Sequence, residues 1–320
     1  MSREDILEAL LYNSSIDSLD KESRRSVRSV GPSVRDLFDN LRESVVTSTN
    51  HPIDLEHHRY TNLRELTVGK TNSLDFLGKI CRPKLTRLVL ALTDVVDISA
   101  LAACIRLEHL NLCDTGVGDI SALAACIHLR DLNLCDTAVV DISALAACTR
   151  LENLNLSNTY VGNISALAAC TDLEHLYLNN TGAVDISALA ACTRLERLDL
   201  VETRVDNISA LAACTHLRDL ELCCTDVVDI SALAACTRLE FLNLADTKVI
   251  DISALAACTK LEDLCLTCTG ITDISALAAC THLRHLELIE TGVIDISAVA
   301  ACPNLEVIGI SDRDSDSDSN

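Results

Sequence analysis

A segment of 22 residues returns along most of this chain, and it restricts the possible folds before any other property is considered. The stretch from Leu107 to Cys126 reads LEHLNLCDTGVGDISALAAC, and its first Leu recurs at 63, 85, 107, 129, 151, 173, 195, 217, 239, 261, 283 and 305. That makes eleven full units and a twelfth that stops after its strand. In each unit L-x-x-L-x-L alternates apolar and polar residues, the period-2 signature of a strand with one buried face. The rest of the unit, V-x-D-I-S-A-L-A-A-C, closes the turn as a short helical or 3-10 return. One such strand and return cannot bury their own apolar face, so successive units must stack into a parallel sheet over a continuous core. At roughly 4.8 Å per neighbouring strand, twelve strands predict a solenoid on the order of 55 Å long.

The pattern resembles the leucine-rich repeat family, in the short 22-residue class found in bacterial internalins and in the repeat subunit that regulates protein phosphatase 1. Some units are also similar to kinetoplastid leucine-rich repeat proteins, most clearly Cys268-Thr-Gly-Ile-Thr-Asp-Ile-Ser275. The resemblance implies an α/β solenoid with a curved parallel β-sheet on the concave face, returns on the convex face, and a helical N-terminal cap. One departure stands out. Where the family places Asn after the strand, this chain places Thr, at 71, 93, 115, 137, 159, 181, 203, 225, 247, 269 and 291. A Thr hydroxyl both donates and accepts at a turn, so a hydrogen-bonded Thr ladder is the predicted replacement.

Solenoid ends need covering. Residues 1–58 suit a helical cap: Ser2 and Asp5 precede Ile6, Leu7, Leu10 and Leu11, and Pro32 opens a second helix with Val34, Leu37, Phe38, Leu41 and Val45 along one face. A partner-binding helix pair is the alternative. The Ser-rich basic stretch Ser23–Ser29, with Ser26 at its centre, reads as a loop of the cap or as a phosphorylation site. The solenoid is assigned to residues 59–310, and residues 311–320 to a disordered acidic tail.

The net charge of −21 makes nucleic acid and anionic membranes poor partners. No long uncharged apolar run exists, and the acidic start MSREDILEALLYNSS does not read as a signal peptide, so a cytoplasmic protein is expected. Seventeen cysteines, an odd number, then argue for thiols in a reducing compartment.

The cysteines at 104, 126, 148, 170, 192, 214, 236, 258, 280 and 302 occupy the slot that the family fills with a buried Leu, so they read as packing. Cys265-Leu-Thr-Cys268 has C-x-x-C spacing, and Cys223-Cys224 lies nearby, but strand geometry separates Cys265 from Cys268, and no metal is expected. Aspartates at 97, 119, 141, 185, 229, 251, 273 and 295, replaced by Asn163 and Asn207 in two units, fit helix caps better than calcium ligands. No nucleophile and base recur together and no glycine-rich phosphate loop exists, so neither catalysis nor a cofactor is expected.

With these positions structural, recognition must lie in what varies. The third, fifth and eighth positions of nine units, from His109 to Glu290, hold eleven acids and one base, Arg197. A negative strip suited to a basic protein partner follows. Tyr177 and Phe241 are two of only seven aromatics and sit among those acids, as interface anchors do. The predicted binding residues are therefore His175, Tyr177, Arg197, Asp199, Glu202, Asp219, Glu221, Phe241, Asn243 and Asp246. The function expected is a monomeric, non-enzymatic protein-binding scaffold. A regulatory subunit of an enzyme such as a phosphatase is the alternative, and a surface antigen or adhesin a third reading.

Overall fold

The computed structural model describes residues 44–47, 63–68, 71–74 and 84–309, which fall into two compact units, one up to Ala138 and one from Val139 onward. The Ser2–Leu11 and Pro32 helices and the acidic tail lie outside the described residues.

In the first unit, β1 (Ser44–Thr47), β2 (Glu65–Val68), β3 (Arg87–Val89), β4 (His109–Asn111) and β5 (Asp131–Asn133) pair in chain order, all parallel. β1 departs from the sequence expectation, which put Val45 on a capping helix. Ser44-Val-Val-Thr47 holds β-branched residues throughout its last three positions, which lose side-chain freedom in a helix and fit a pleated surface. It pairs with β2 in the register Ser44↔Glu65 and Val45↔Leu66.

In the second unit, β6 (Asn153–Asn155), β7 (His175–Tyr177), β8 (Arg197–Asp199), β9 (Asp219–Glu221), β10 (Phe241–Asn243), β11 (Asp263–Cys265), β12 (His285–Glu287) and β13 (Glu306–Ile308) follow the same rule. Like residues stand opposite like residues: Leu176↔Leu198, Leu198↔Leu220 and Leu220↔Leu242 are each fully buried. The flanking third and fifth positions face solvent.

The return is a five-residue 3-10 helix, Ser-Ala-Leu-Ala-Ala, from Ser99–Ala103 in the first unit to Ser275–Ala279 in the second, with a shorter Ser297–Val299 turn after it. Its geometry follows from an apolar period of three. Ile98, Leu101, Cys104 and Leu107 are no more than 1% exposed, and a helix of three residues per turn puts i, i+3, i+6 and i+9 on one face. The backbone agrees: Leu101 N donates to Ile98 O (2.9 Å), Cys104 N to Leu101 O (2.8 Å) and Leu107 N to Cys104 O (3.0 Å).

Two side chains fix each turn. The Asp ahead of the return accepts the N–H of the Ser two residues on, as Asp97 Oδ1 does from Ser99 (2.8 Å) and Asp229 Oδ1 from Ser231 (2.8 Å). Asn163 and Asn207 make the same bond at 2.9 Å, so the turn uses the oxygen and not the charge. The N-cap itself is the intervening Ile, without a side-chain bond, so the expected Asp cap is in fact a turn one position earlier. From Thr93 to Thr291 the Thr after the strand donates its hydroxyl to the carbonyl three residues back, as Thr225 Oγ1 does to Leu222 O (2.7 Å), while Thr71 donates to Ser73 O (2.9 Å). The predicted hydrogen-bonded Thr is thus present, but each one ties its own turn rather than the next repeat.

The repeated cysteines are buried, and their thiols donate backwards. Cys192 Sγ reaches Leu167 O (3.4 Å) and Cys170 O (3.6 Å), and the pattern continues at Cys214, Cys236, Cys258 and Cys280. Burial pushes the Cys170, Cys214 and Cys258 thiols up to about 12, so they are inert packing groups. Elsewhere the thiol expectation fails: in the first unit Cys113 and Cys135, one repeat apart beyond adjacent strands, are joined as a disulfide. The parallel projection that disfavours a bridge applies to side chains locked in the core. These two are only half-buried at the strand end, where they have room to turn towards each other.

Candidate partner-binding face

On the solvent side of the second unit, strand register builds two rows. His175, Arg197, Asp219 and Phe241 stand side by side on β7 to β10, and Tyr177, Asp199, Glu221 and Asn243 form the parallel row two residues on. Eight of the ten predicted residues therefore share one surface. Tyr177 and Phe241 lie on strands three steps apart, about 14 Å at the usual spacing.

Glu202 and Asp246 are not on that surface. Both belong to the turn beyond the strand and take left-handed backbone angles, φ 56° and 53°. The whole eighth position shares this conformation, Asp114, Asp136, Asn158, Asn180, Cys224, Cys268 and Glu290 included. Asp and Asn tolerate it, which was the one signal in the sequence. Glu and Cys at the same position hid it.

Two more of the ten have structural work. Asp199 Oδ1 accepts the N–H of Val201 (3.0 Å) and Asn243 Oδ1 that of Ala245 (3.0 Å), the turn bond that Asn111, Asn133 and Asn155 also make. Tyr177 and Glu221 break the Asp/Asn pattern of that row. Tyr lacks a side-chain carbonyl, and Glu, one carbon longer, is instead hydrogen-bonded to Asn243.

The electrostatics of the face come from its half-buried acids. Partial burial raises the carboxyl of Asp199, and it raises Asp219 although Arg197 opposes the shift. Glu221 is raised first by burial, and further by Asp199 and Asp219, against the Asn243 hydrogen bond and Arg197. Arg197 is already engaged, with Nη2 at 2.6 Å from Asp219 Oδ2. Other cations of the unit are paired elsewhere: Arg194 with Glu174 (2.6 Å), Arg218 with Glu240 (2.9 Å) and Lys248 with Asp226 (2.6 Å). Asp199 and Glu221 are left as neighbouring, partly desolvated negative charges, an arrangement that a cation from another molecule would relieve. His175 contributes through Nδ1, 2.5 Å from Asn153 Oδ1.

The Cys223-Cys224 pair, named in the sequence without a metal role, gains in the structure a partner that the sequence reading did not give it. Cys223 and Cys224 have their sulfurs 3.3 Å apart, and Asp246 stands one repeat away.

The family model for leucine-rich repeats in two copies matches residues 149–191 and again 237–279. Among solved structures, an internalin, InlF, of Listeria monocytogenes superimposes with a TM-score of 0.72 at 26% identity over 89% of this chain and 92% of its own. A leucine-rich repeat protein of Leptospira interrogans gives a TM-score of 0.74 at 16% identity, covering 86% of this chain and 80% of that one. The functional domain of InlJ from L. monocytogenes, which includes a cysteine ladder, gives 0.62 at 17% identity over 84% and 69%. A comparison with curated proteins finds no match.

Proposed function

We propose that this leucine-rich repeat protein, internalin-like in its repeat, is a non-enzymatic scaffold that holds a basic protein segment along β7 to β10. Leucine-rich repeats commonly mediate protein–protein interaction. What supports the finer reading is the Asp199–Glu221 pair: adjacent carboxylates, half-buried, beside an Arg197 that is already bonded to Asp219, and flanked by Tyr177 and Phe241. A Lys or Arg placed over them gains charge pairing in a partly dry setting, and the rings supply anchoring area. The same negative surface, on a chain of net charge −21, disfavours nucleic acid.

The test is selection from a random peptide library on the whole protein. Lys- and Arg-rich ligands should be enriched, should be released as salt rises, and should bind at least about tenfold more weakly to Asp199→Asn/Glu221→Gln, since one buried charge pair is worth more than about 1.4 kcal/mol. This variant keeps the oxygen that Val201 N–H needs. Ligands of no particular charge, or equal binding to the variant, would overturn the reading. The enzyme-regulator alternative uses the same face and is separated by whether a catalytic activity copurifies.

The Cys113–Cys135 disulfide favours a second reading for location. Such bonds persist in oxidising surroundings, which fits a surface or secreted adhesion module better than a cytoplasmic scaffold. No helix among the described residues is long and apolar enough to cross a membrane.

A further inference from the structure

The geometry points to a thiophilic metal site, fitted to Zn²⁺, made by Cys223, Cys224 and Asp246 at the turn end of β9 and β10. This departs from the sequence expectation of no metal, and it does not rest on the partner-binding reading.

The site exists because of the backbone. Successive residues of an extended strand point to opposite faces. Cys224, however, has φ 58°, and this left-handed step brings its side chain round beside that of Cys223, Sγ to Sγ 3.3 Å. Asp246 occupies the same turn position one repeat on, with φ 53°. One ligand atom from each of the three residues lies within 4.8 Å of the other two.

Those spacings suit tetrahedral zinc. At about 2.3 Å per Zn–S bond, two thiolates on one ion stand about 3.8 Å apart, and a carboxylate oxygen at about 2.1 Å lies about 3.6 Å from each sulfur. The triad therefore closes on an ion with shifts of about 1 Å. Cys224 and Asp246 are exposed and Cys223 is half-buried, so the side chains can make that shift and an ion can reach them. Two sulfurs and one oxygen leave a fourth position for water. The thiol-rich donor set selects zinc over calcium or magnesium, which take oxygen ligands.

A thiol ordinarily carries its proton at neutral pH. Binding is then an exchange: Zn²⁺ displaces the two thiol protons to solvent, two Zn–S bonds and one Zn–O bond form, and nothing is oxidised or reduced.

The test uses the whole chain carrying Cys113→Ser/Cys135→Ser, because those two thiols with Asp136 would form a competing cluster once reduced. Under phosphine reductant and without oxygen, Co²⁺ is titrated and read by its thiolate charge-transfer band. One Co²⁺ per chain is expected, displaced by an equal amount of Zn²⁺, with two protons released per ion. Cys223→Ser/Cys224→Ser should abolish the band and weaken Zn²⁺ binding on the order of 100-fold or more, beyond what loss of an outer partner does. Asp246→Ala should keep a weaker band and lose about tenfold in affinity. Cys265→Ser/Cys268→Ser should bind as the parent does. Absence of the band in the parent, its survival in Cys223→Ser/Cys224→Ser, or its loss in Cys265→Ser/Cys268→Ser would each overturn the proposal. Circular dichroism of every variant separates metal loss from unfolding.

Discussion

Glu202 shows how much a single residue can conceal. Its acid side chain reads as part of a charged binding strip, yet its backbone sits at φ 56°, where Cβ crowds the following carbonyl unless a short polar side chain bonds locally. Asn158 and Asn180 hold the same position at φ 56° and 52° without that cost. Glu202→Asn is therefore expected to stabilise the protein by about 1 kcal/mol, seen as a higher urea midpoint at unchanged slope. Glu221 gives the opposite kind of prediction. Its carboxyl is raised in the folded state, so the fold takes up protons more readily than the unfolded chain. The resulting stability is present at acid pH, below the unfolded pKa, and is lost as pH rises through the folded pKa. Glu221→Gln should thus melt higher than the parent at pH 7, with the gap closing below the carboxylate range. Thermal melts of both proteins at the two pH values check this. A residue that weakens its own fold at neutral pH and is the longer acid in an Asp/Asn row is a reasonable one to assign to binding.

At the scale of the element, the return was legible and so was the Asp that fixes the turn ahead of it, because both are written in spacing. I-x-x-L-x-x-C-x-x-L has an apolar residue every third place, and Asp-x-Ser puts an oxygen two residues from the N–H that needs it. Asp229→Ala should lower the urea midpoint and Asp229→Asn leave it close to unchanged, since Asn207 already serves in the neighbouring unit; chemical denaturation of the two variants distinguishes them. Acid should act on these turn aspartates in the sense opposite to Glu221. Hydrogen bonds from Ser231 hold the Asp229 carboxyl below its usual range, so its contribution is present above the unfolded pKa and lost as pH falls through the folded one. What spacing could not give was conformation that different residue types share. The left-handed eighth position is filled by Asp, Asn, Glu and Cys, and Val45, apolar at a helical interval from Leu41, lies in a strand because a sheet edge was there to receive it.

For the molecule as a whole, the repeat makes stability a sum of similar nearest-neighbour terms, and surface chemistry an overlay on that frame. The stacked strands and the buried cysteines follow from the frame, and a single sequence shows them. The thiol cluster and the disulfide belong to the overlay: each joins residues from two different repeats and is visible only once register is known. Cys113 and Cys135 are expected to react with a thiol reagent only after reduction, so the unfolded protein should titrate two more thiols with phosphine than without. An equal count in both would assign the chain to a reducing compartment.

Buried sulfurs such as Cys192 and Cys214 donate to carbonyls 22 and 25 residues behind them, and strands such as β7 and β8 pair like residue to like residue one unit apart. Such bonds are indifferent to which copy supplies the partner. A gene encoding them can recombine with itself out of step, gaining or shedding 22 codons at a time, and every product still closes its backbone contacts. Length is then a quantity that inheritance can adjust in whole steps, while the bound partner is chosen by the handful of side chains that the frame leaves alone.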